Sequence, residues 1–291
     1  MTSILVVGES GQLARELSRA SWDAEVELTF AGREIIDLAR PETATAVVGA
    51  LKPDVVVNAA AYTAVDKAES DEEHAFLVNR EGPAALARAA AAIGAPLIHV
   101  STDYVFAGDK TGPYTEDDPV APVSVYGRSK EAGERAVRET LERHFILRTA
   151  WVYSPFGNNF VKTMLRLGAE REELRVVADQ HGCPTAAADI AAAIVRLAAA
   201  DQGWGTYHYT GAEPTTWHGF AEAIFAGAAV RGFRVPREVV AIGTADYPTP
   251  AARPANSVLD CSKIARVHGI VARNWREALE DCLDTLIGPR T

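Results

Sequence analysis

Short apolar runs alternate with stretches of helical periodicity along the first half of the chain. Ile4 to Val7 is a β-branched run that stops at Gly8, and Gly11 to Leu17 then spaces its apolar positions along one helical face. Val26 to Phe30 is a second run. Pro53 to Thr63 reads as one continuous apolar strand, the pattern of a parallel strand covered on both faces. Asp71 to Ala92 predicts a helix closed by Gly94 and Pro96, and Leu97 to Thr102 is the next strand. A long helix is predicted from Ser124, and Phe145 to Tyr153 reads as one further strand. Strands and helices recurring every ~30 residues specify an α/β fold, a doubly wound parallel sheet of the Rossmann type.

After residue 150 the alternation loosens. Val161 to Leu167 has helical spacing, Leu174 to Gln180 reads as a short strand, Asp189 to Ala199 as an alanine-rich helix and Gly205 to Gly211 as another strand. Then come a helix at Trp217 to Ala229, a strand at Glu238 to Ile242, a turn-rich stretch from Tyr247 to Pro254 and a last helix from Trp275 to Ile287. The division this suggests is a sheet domain over 1–150, rejoined by segments near 186–211, and a smaller C-terminal α/β lobe over 151–291 that shares a cleft with it.

Composition narrows the classes. With 291 residues, 48% of them hydrophobic, the chain can bury a full core. A net charge of −10 argues against a nucleic-acid or membrane-surface binder, so an anionic ligand must be met by local donors. Cys183, Cys261 and Cys282 are odd in number and widely spaced, which suggests neither a disulfide framework nor a metal knuckle. The first strand begins too near Met1 for a signal peptide, and no long uncharged apolar run follows, so a cytoplasmic protein is expected.

Two groups of residues carry candidate chemistry. The turn Gly8-Glu9-Ser10-Gly11-Gln12-Leu13-Ala14 lets bare backbone approach a pyrophosphate at a helix start, although a glycine-rich turn can also be only a turn. Arg33 beside Glu34, just beyond the second strand, admits both NADPH and NADH; Arg33 favours NADPH, against the alternative of a solvated arginine. Asp37 and Leu38 are placed to line the adenine, and the small residues Ala59, Ala60 and Ala61 before Tyr62 and Thr63 allow a ligand close to the backbone. The second group is Thr102 at a strand end with Tyr126 and Lys130, neighbours at i and i+4 of a helix. Alone, that tyrosine–lysine spacing is common on helix surfaces. Joined to a parallel sheet, a glycine-rich first turn and a strand-end hydroxyl, it points to carbonyl reduction. Tyr126 would be the general acid, Lys130 would lower its pKa from about 10 and hold the nicotinamide ribose, and Thr102 would donate to the carbonyl oxygen. No metal is needed for this step and no His/Cys/Asp cluster has metal-ligand spacing; His99, His181 and His208 read as scattered structural or surface residues, and a G-x-S-x-G hydrolase elbow is absent.

Longer motifs add a resemblance: Gly8-x-x-Gly11-Gln12-Leu13, Val57 through Glu69, Ser101 through Phe106, Tyr126-Gly127-x-x-Lys130, Arg148 through Tyr153, Gly157 through Phe160 and Arg253 through Ser257. On these the chain resembles, over nearly its whole length, the extended short-chain dehydrogenase/reductase family, and within it members that reduce the C4 keto group of a dTDP-linked 6-deoxysugar. The resemblance implies that Gly11 to Leu13, Asp37, Leu38 and Ala61 to Thr63 contact the dinucleotide; Gly8, Ser10, Ala59, Ala60, Tyr126 and Lys130 join them as candidates from their places beside these residues. It implies that Thr102, Asp103 and Trp151 contact a nucleotide sugar; Val65 and Tyr126 are further candidates for that contact, and Asn159 and Arg253 are candidates for its nucleotide end. Thr102, Tyr126 and Lys130 form the implied catalytic triad. A reductase of another 4-keto-6-deoxysugar is the nearest alternative. A non-catalytic dinucleotide-binding relative is a second, although such proteins commonly lose part of the triad. Some family members dimerise through magnesium held by acidic side chains; no such cluster is identifiable here, and magnesium dependence and the choice between monomer and homodimer stay open.

Overall fold

The computed structural model describes residues 1–290. Its first strands are β1 (Thr2–Val7), β2 (Val26–Ala31), β3 (Val55–Asn58), β4 (Leu97–Thr102) and β5 (His144–Thr149). The chain continues through β6 (Val152–Tyr153), β7 (Glu173–Val177), β8 (His181–Gly182), β9 (Thr185–Ala186), β10 (Gly205–His208), β11 (Thr215–Thr216) and β12 (Glu238–Ile242). Six of these form a wholly parallel sheet in the order β10-β5-β4-β3-β1-β2. Side chains alternate across a strand, and β1 shows the result. Ile4 and Val6 pack with Leu13, Leu17, Ile190 and Ile194 on one face, while Leu5 and Val7 pack with Val48, Leu86 and Ala90 on the other. Both faces are therefore closed by helices.

The sheet reverses its winding between β1 and β3, and a crevice opens there beyond the carboxyl ends of the strands. Register keeps those ends level: Val7 pairs with Asn58, Asn58 with His99, and Thr102 with Thr149. A separate core, built around Val161, Leu165, Phe220, Ile224, Trp275 and Leu283, fills the C-terminal lobe. Three small pairings supplement it: β7 with β12, β6 with β9, and β8 with β11. Among the described residues, no helix is long and apolar enough to cross a membrane.

Three elements differ from their periodicity. The run from Pro53 to Thr63 is a strand only over Val55–Asn58, because Asn58 Oδ1 accepts from Ala60 N–H and turns the chain into the crevice. The run from Phe145 to Tyr153 is broken into β5 and β6 by Trp151, whose φ of 46° lies in the left-handed region. The helical stretch after Asp71 is α-helical over Glu72–Phe76 and Gly82–Ile93 with a π-helical turn, Leu77–Glu81, between them. That turn carries Asn79, 1% exposed, which accepts from Tyr62 N–H and donates to Tyr62 C=O and Ser129 Oγ. Wide turns of this kind recur at functional sites.

Candidate active site

The crevice is a single cleft of about 880 Å³, sized for a large ligand. One rim is the turn after β1. Gly8 has φ 109°, and a Cβ placed there would lie 3.4 Å from Ala60 N, so bare backbone is what lets β1 and β3 meet at the cleft floor. Gly11 next to it faces open space. The cleft is also lined by Ser10, Gln12 and Leu13 from this turn, by Arg33, Asp37 and Leu38 beyond β2, and by Ala59 to Thr63 and Val65 beyond β3. Thr149 Oγ1, buried on the same lining, has no hydrogen-bond partner. A glycine-floored turn leading into a cleft with a buried, unpartnered hydroxyl fits a dinucleotide.

Thr102, Asp103, Tyr126, Lys130 and Trp151 line the deep end. The helix Val125–Thr140 begins here because Ser124 Oγ accepts from Gly127 N–H and Glu69 Oε1 accepts from Val125 N–H. Gly127 allows a close approach, since a Cβ there would meet Tyr104 C=O at 2.3 Å. The Tyr104 and Tyr126 rings thereby pack edge to face at 5.6 Å. Lys130, one turn on and 2% exposed, donates from Nζ to Val100 C=O at 2.7 Å. Thr102 Oγ1 donates to Asp103 Oδ1 at 2.9 Å and accepts from Tyr104 N–H.

Electrostatics here depart from the simplest expectation. Burial pushes the Tyr126 phenol up to about 12, opposed by the nearby Thr102 hydroxyl and aided by the Asp103 charge. Lys130 is not what sets it: its own pKa is drawn down to about 8 by burial, and its proton is engaged by a backbone carbonyl. The expectation that Lys130 lowers Tyr126 is not met in the free protein, where burial of the phenol dominates and the ammonium is itself buried. Likewise the Thr102 hydrogen is directed to Asp103 here, not into the cleft. Asp103, buried with Oδ2 lacking a hydrogen-bond partner, is pushed up to about 6 by burial, with Ser257 and Thr102 hydroxyls nearby opposing the rise.

Two expected residues take other positions. Asn159 is absent from the cleft lining: its Oδ1 caps the helix Phe160–Glu170 and its Nδ2 donates to Gln12 Oε1 at 2.9 Å, while Asn158 lines the cleft instead. Arg253 is also outside the lining, with its guanidinium held by both oxygens of Asp66 at 2.9 and 2.8 Å. Arg33 stays on the lining with a side chain 74% exposed, 3.7 Å from Asp37. Residues not singled out by sequence are Asn79, which holds Tyr62; Trp217, which lines the cleft; and the buried Glu134–Arg148 pair behind Lys130. Glu134 was recoverable, because it continues the Tyr126 and Lys130 face by a further turn.

A family model, the RmlD substrate binding domain, matches residues 1–287. A dTDP-4-dehydrorhamnose reductase of Sinorhizobium fredii is 48% identical over 283 residues, covering 94% of each chain. A dTDP-4-dehydrorhamnose reductase structure from Clostridium acetobutylicum superposes with a TM-score of 0.92 at 38% identity, covering 98% of this chain and 99% of that one. A Bacillus anthracis dTDP-4-dehydrorhamnose reductase in complex with NADP gives 0.92 at 36% identity, covering 98% and 100%.

Proposed function

The chain belongs to the RmlD substrate binding domain family, and from that premise we propose that it reduces the C4 keto group of dTDP-4-dehydro-L-rhamnose to give dTDP-L-rhamnose, using NADPH in the cytoplasm. The observation that carries this reading is the convergence of Thr102, Tyr126 and Lys130 on the cleft into which the Gly8–Leu13 turn opens. Residues 1–150 with 186–211 would hold the dinucleotide, and 151–291 would supply most of the sugar-nucleotide contacts. Bound NADPH supplies the hydride.

The chain's own residues do the rest. Gly8, Ser10, Gly11, Gln12 and Leu13 present backbone and short side chains to the pyrophosphate, and Ala59 to Thr63 leave room for the dinucleotide beside β3. Val65, Asp103 and Trp151 line the sugar-nucleotide end. Tyr126, protonated over the working range, gives its proton to the C4 oxygen as charge develops there. Lys130 places a positive charge beneath the phenolate left behind. Thr102, able to turn its hydrogen from Asp103 to the C4 oxygen, stabilises the same charge. The test is to supply dTDP-4-dehydro-L-rhamnose and NADPH, follow NADPH consumption and identify the product by NMR. Formation of dTDP-L-rhamnose is expected. A product of the other C4 configuration, or no NADPH consumption, overturns the assignment.

Arg33 is expected to set cofactor choice, because an exposed guanidinium at the cleft rim is free to take a 2′-phosphate and loses only a weak, solvent-screened contact with Asp37. Arg33→Ala should raise KM for NADPH by about tenfold, as for one charge-assisted hydrogen bond, with KM for NADH little changed. Equal effects on both cofactors would mean that Arg33 only shapes the rim.

A further inference from the structure

We propose that Trp217 is a positioning residue for this reaction, holding the indole of Trp151 against the sugar-nucleotide end of the cleft; the inference rests on the function proposed above. Trp151 sits in a backbone conformation that a tryptophan rarely adopts, with φ 46°, between β5 of the main sheet and the two-residue β6 that follows it. Such a conformation persists only where its surroundings over-determine it. Three contacts do so here. Trp217 stacks on Trp151 with ring centroids 3.6 Å apart and planes inclined by 9°. Gly182 brings bare backbone against the indole, and a Cβ there would lie 2.4 Å from Trp151 Cε2. Thr185 N–H donates to Trp151 C=O at 3.2 Å.

These contacts share one scaffold. Gly182 pairs with Thr215 across the β8–β11 ribbon, and Trp217 opens the following helix, whose start is fixed by Thr216 Oγ1 accepting from Gly219 N–H. From Trp217 a train of rings runs inward: Phe160 at 4.7 Å, then Phe220 at 5.5 Å from Phe160, then Trp275 at 5.4 Å from Phe220. The last two are completely buried in the lobe core. Trp217 thus joins a strained residue at the cleft to the rigid interior of the lobe. Without that ring, Trp151 keeps its place in the chain but loses the surface that orients it.

The experiment compares Trp217→Leu, Trp217→Phe and Gly182→Ala with the wild-type protein. Stacked indoles couple, so circular dichroism of the free wild-type protein should show an exciton couplet that is lost in Trp217→Leu and in Trp151→Phe. In Trp217→Leu, KM for the keto sugar nucleotide should rise about fivefold to tenfold, with kcat and NADPH affinity little changed. Trp217→Phe, which keeps a ring face, should recover most of that KM. Gly182→Ala should raise KM similarly although both tryptophans remain. An unchanged KM in the couplet-free variant overturns the role of Trp217. So does a parallel loss of kcat, NADPH affinity and Tm, the mark of a merely structural residue. Absence of turnover in wild-type protein with its couplet intact overturns the functional reading instead.

Discussion

Tyr126→Phe should lower kcat for keto-sugar reduction by roughly 10²- to 10⁴-fold while NADPH binds almost as before, since the change deletes one hydroxyl and keeps the ring that packs on Tyr104. The size of the loss follows from where the proton comes from. The deep end of the cleft is closed by buried groups, and the other acid there, Asp103, is pushed up only to about 6, so in a neutral assay it is largely ionised and a poorer proton source than the phenol. A phenol pushed up to about 12 remains protonated throughout an ordinary assay, so no alkaline limb below that range should come from Tyr126 itself. Lys130 is different. Burial draws it down to about 8, so its positive charge is present below that pH and lost as pH rises through it. If that charge stabilises the phenolate formed when Tyr126 gives up its proton, kcat/KM should fall as pH passes about 8, and Lys130→Met should remove the limb along with most of the activity. A profile flat to pH 10 in the wild-type enzyme would show that the ammonium does not contribute. Undiminished turnover by Tyr126→Phe would remove the proposed acid altogether.

The parallel sheet was legible because its signal is repeated: each apolar run is short, β-branched and closed by small residues, and burial on both faces leaves no other use for such a run. The residues of the glycine turn, the alanines after β3 and the tyrosine–lysine pair could be placed on one rim from strand order alone. What sequence could not supply lies where long-range contacts override local preference. Trp151 reads as strand, yet bare Gly182 and the Trp217 ring, distant in sequence, hold it left-handed. The stretch from Leu77 to Glu81 reads as ordinary helix, yet Asn79 is drawn to Tyr62 and Ser129 and the helix widens around it. Arg253 looked suited to a diphosphate on charge grounds, but a carboxylate 187 positions away already holds both its terminal nitrogens. Asn159 likewise spends its amide on a helix cap and on Gln12, and so fastens the lobe to the cofactor turn.

Arg148→Met should be the most destabilising single change near the site, at about 3–5 kcal/mol, because it strands a buried carboxylate. Glu134 is wholly buried, and Arg148, itself 3% exposed, binds both its oxygens at 2.9 and 2.7 Å. Arg138, half-buried at the surface end of the pair, still donates at 3.0 Å and should hold the loss toward the lower end of that range. The dependence on pH has a definite sign. In the wild-type protein burial pushes Glu134 up, but the Arg148 hydrogen bonds and charge overcome it and leave the carboxyl below its ordinary value. Its contribution is therefore present above the unfolded-state pKa and lost as pH falls through the folded one. Without Arg148, burial dominates and the folded pKa rises above the unfolded value. The contribution is then full at low pH and lost as pH rises through the raised pKa, so the stability gap between the two proteins should be widest near neutrality and narrow on acidification. Urea unfolding at several pH values measures this directly, and a gap independent of pH would mean that Glu134 is not the stranded charge. The same variant links fold to chemistry. Glu134 lies one turn beyond Lys130 and its charge holds the Lys130 pKa up against burial, so removing that charge should move the limb expected near pH 8 to lower pH. Replacing Glu134 by leucine in the same protein should restore much of the stability and leave that limb displaced, separating what the pair does for folding from what it does for Lys130.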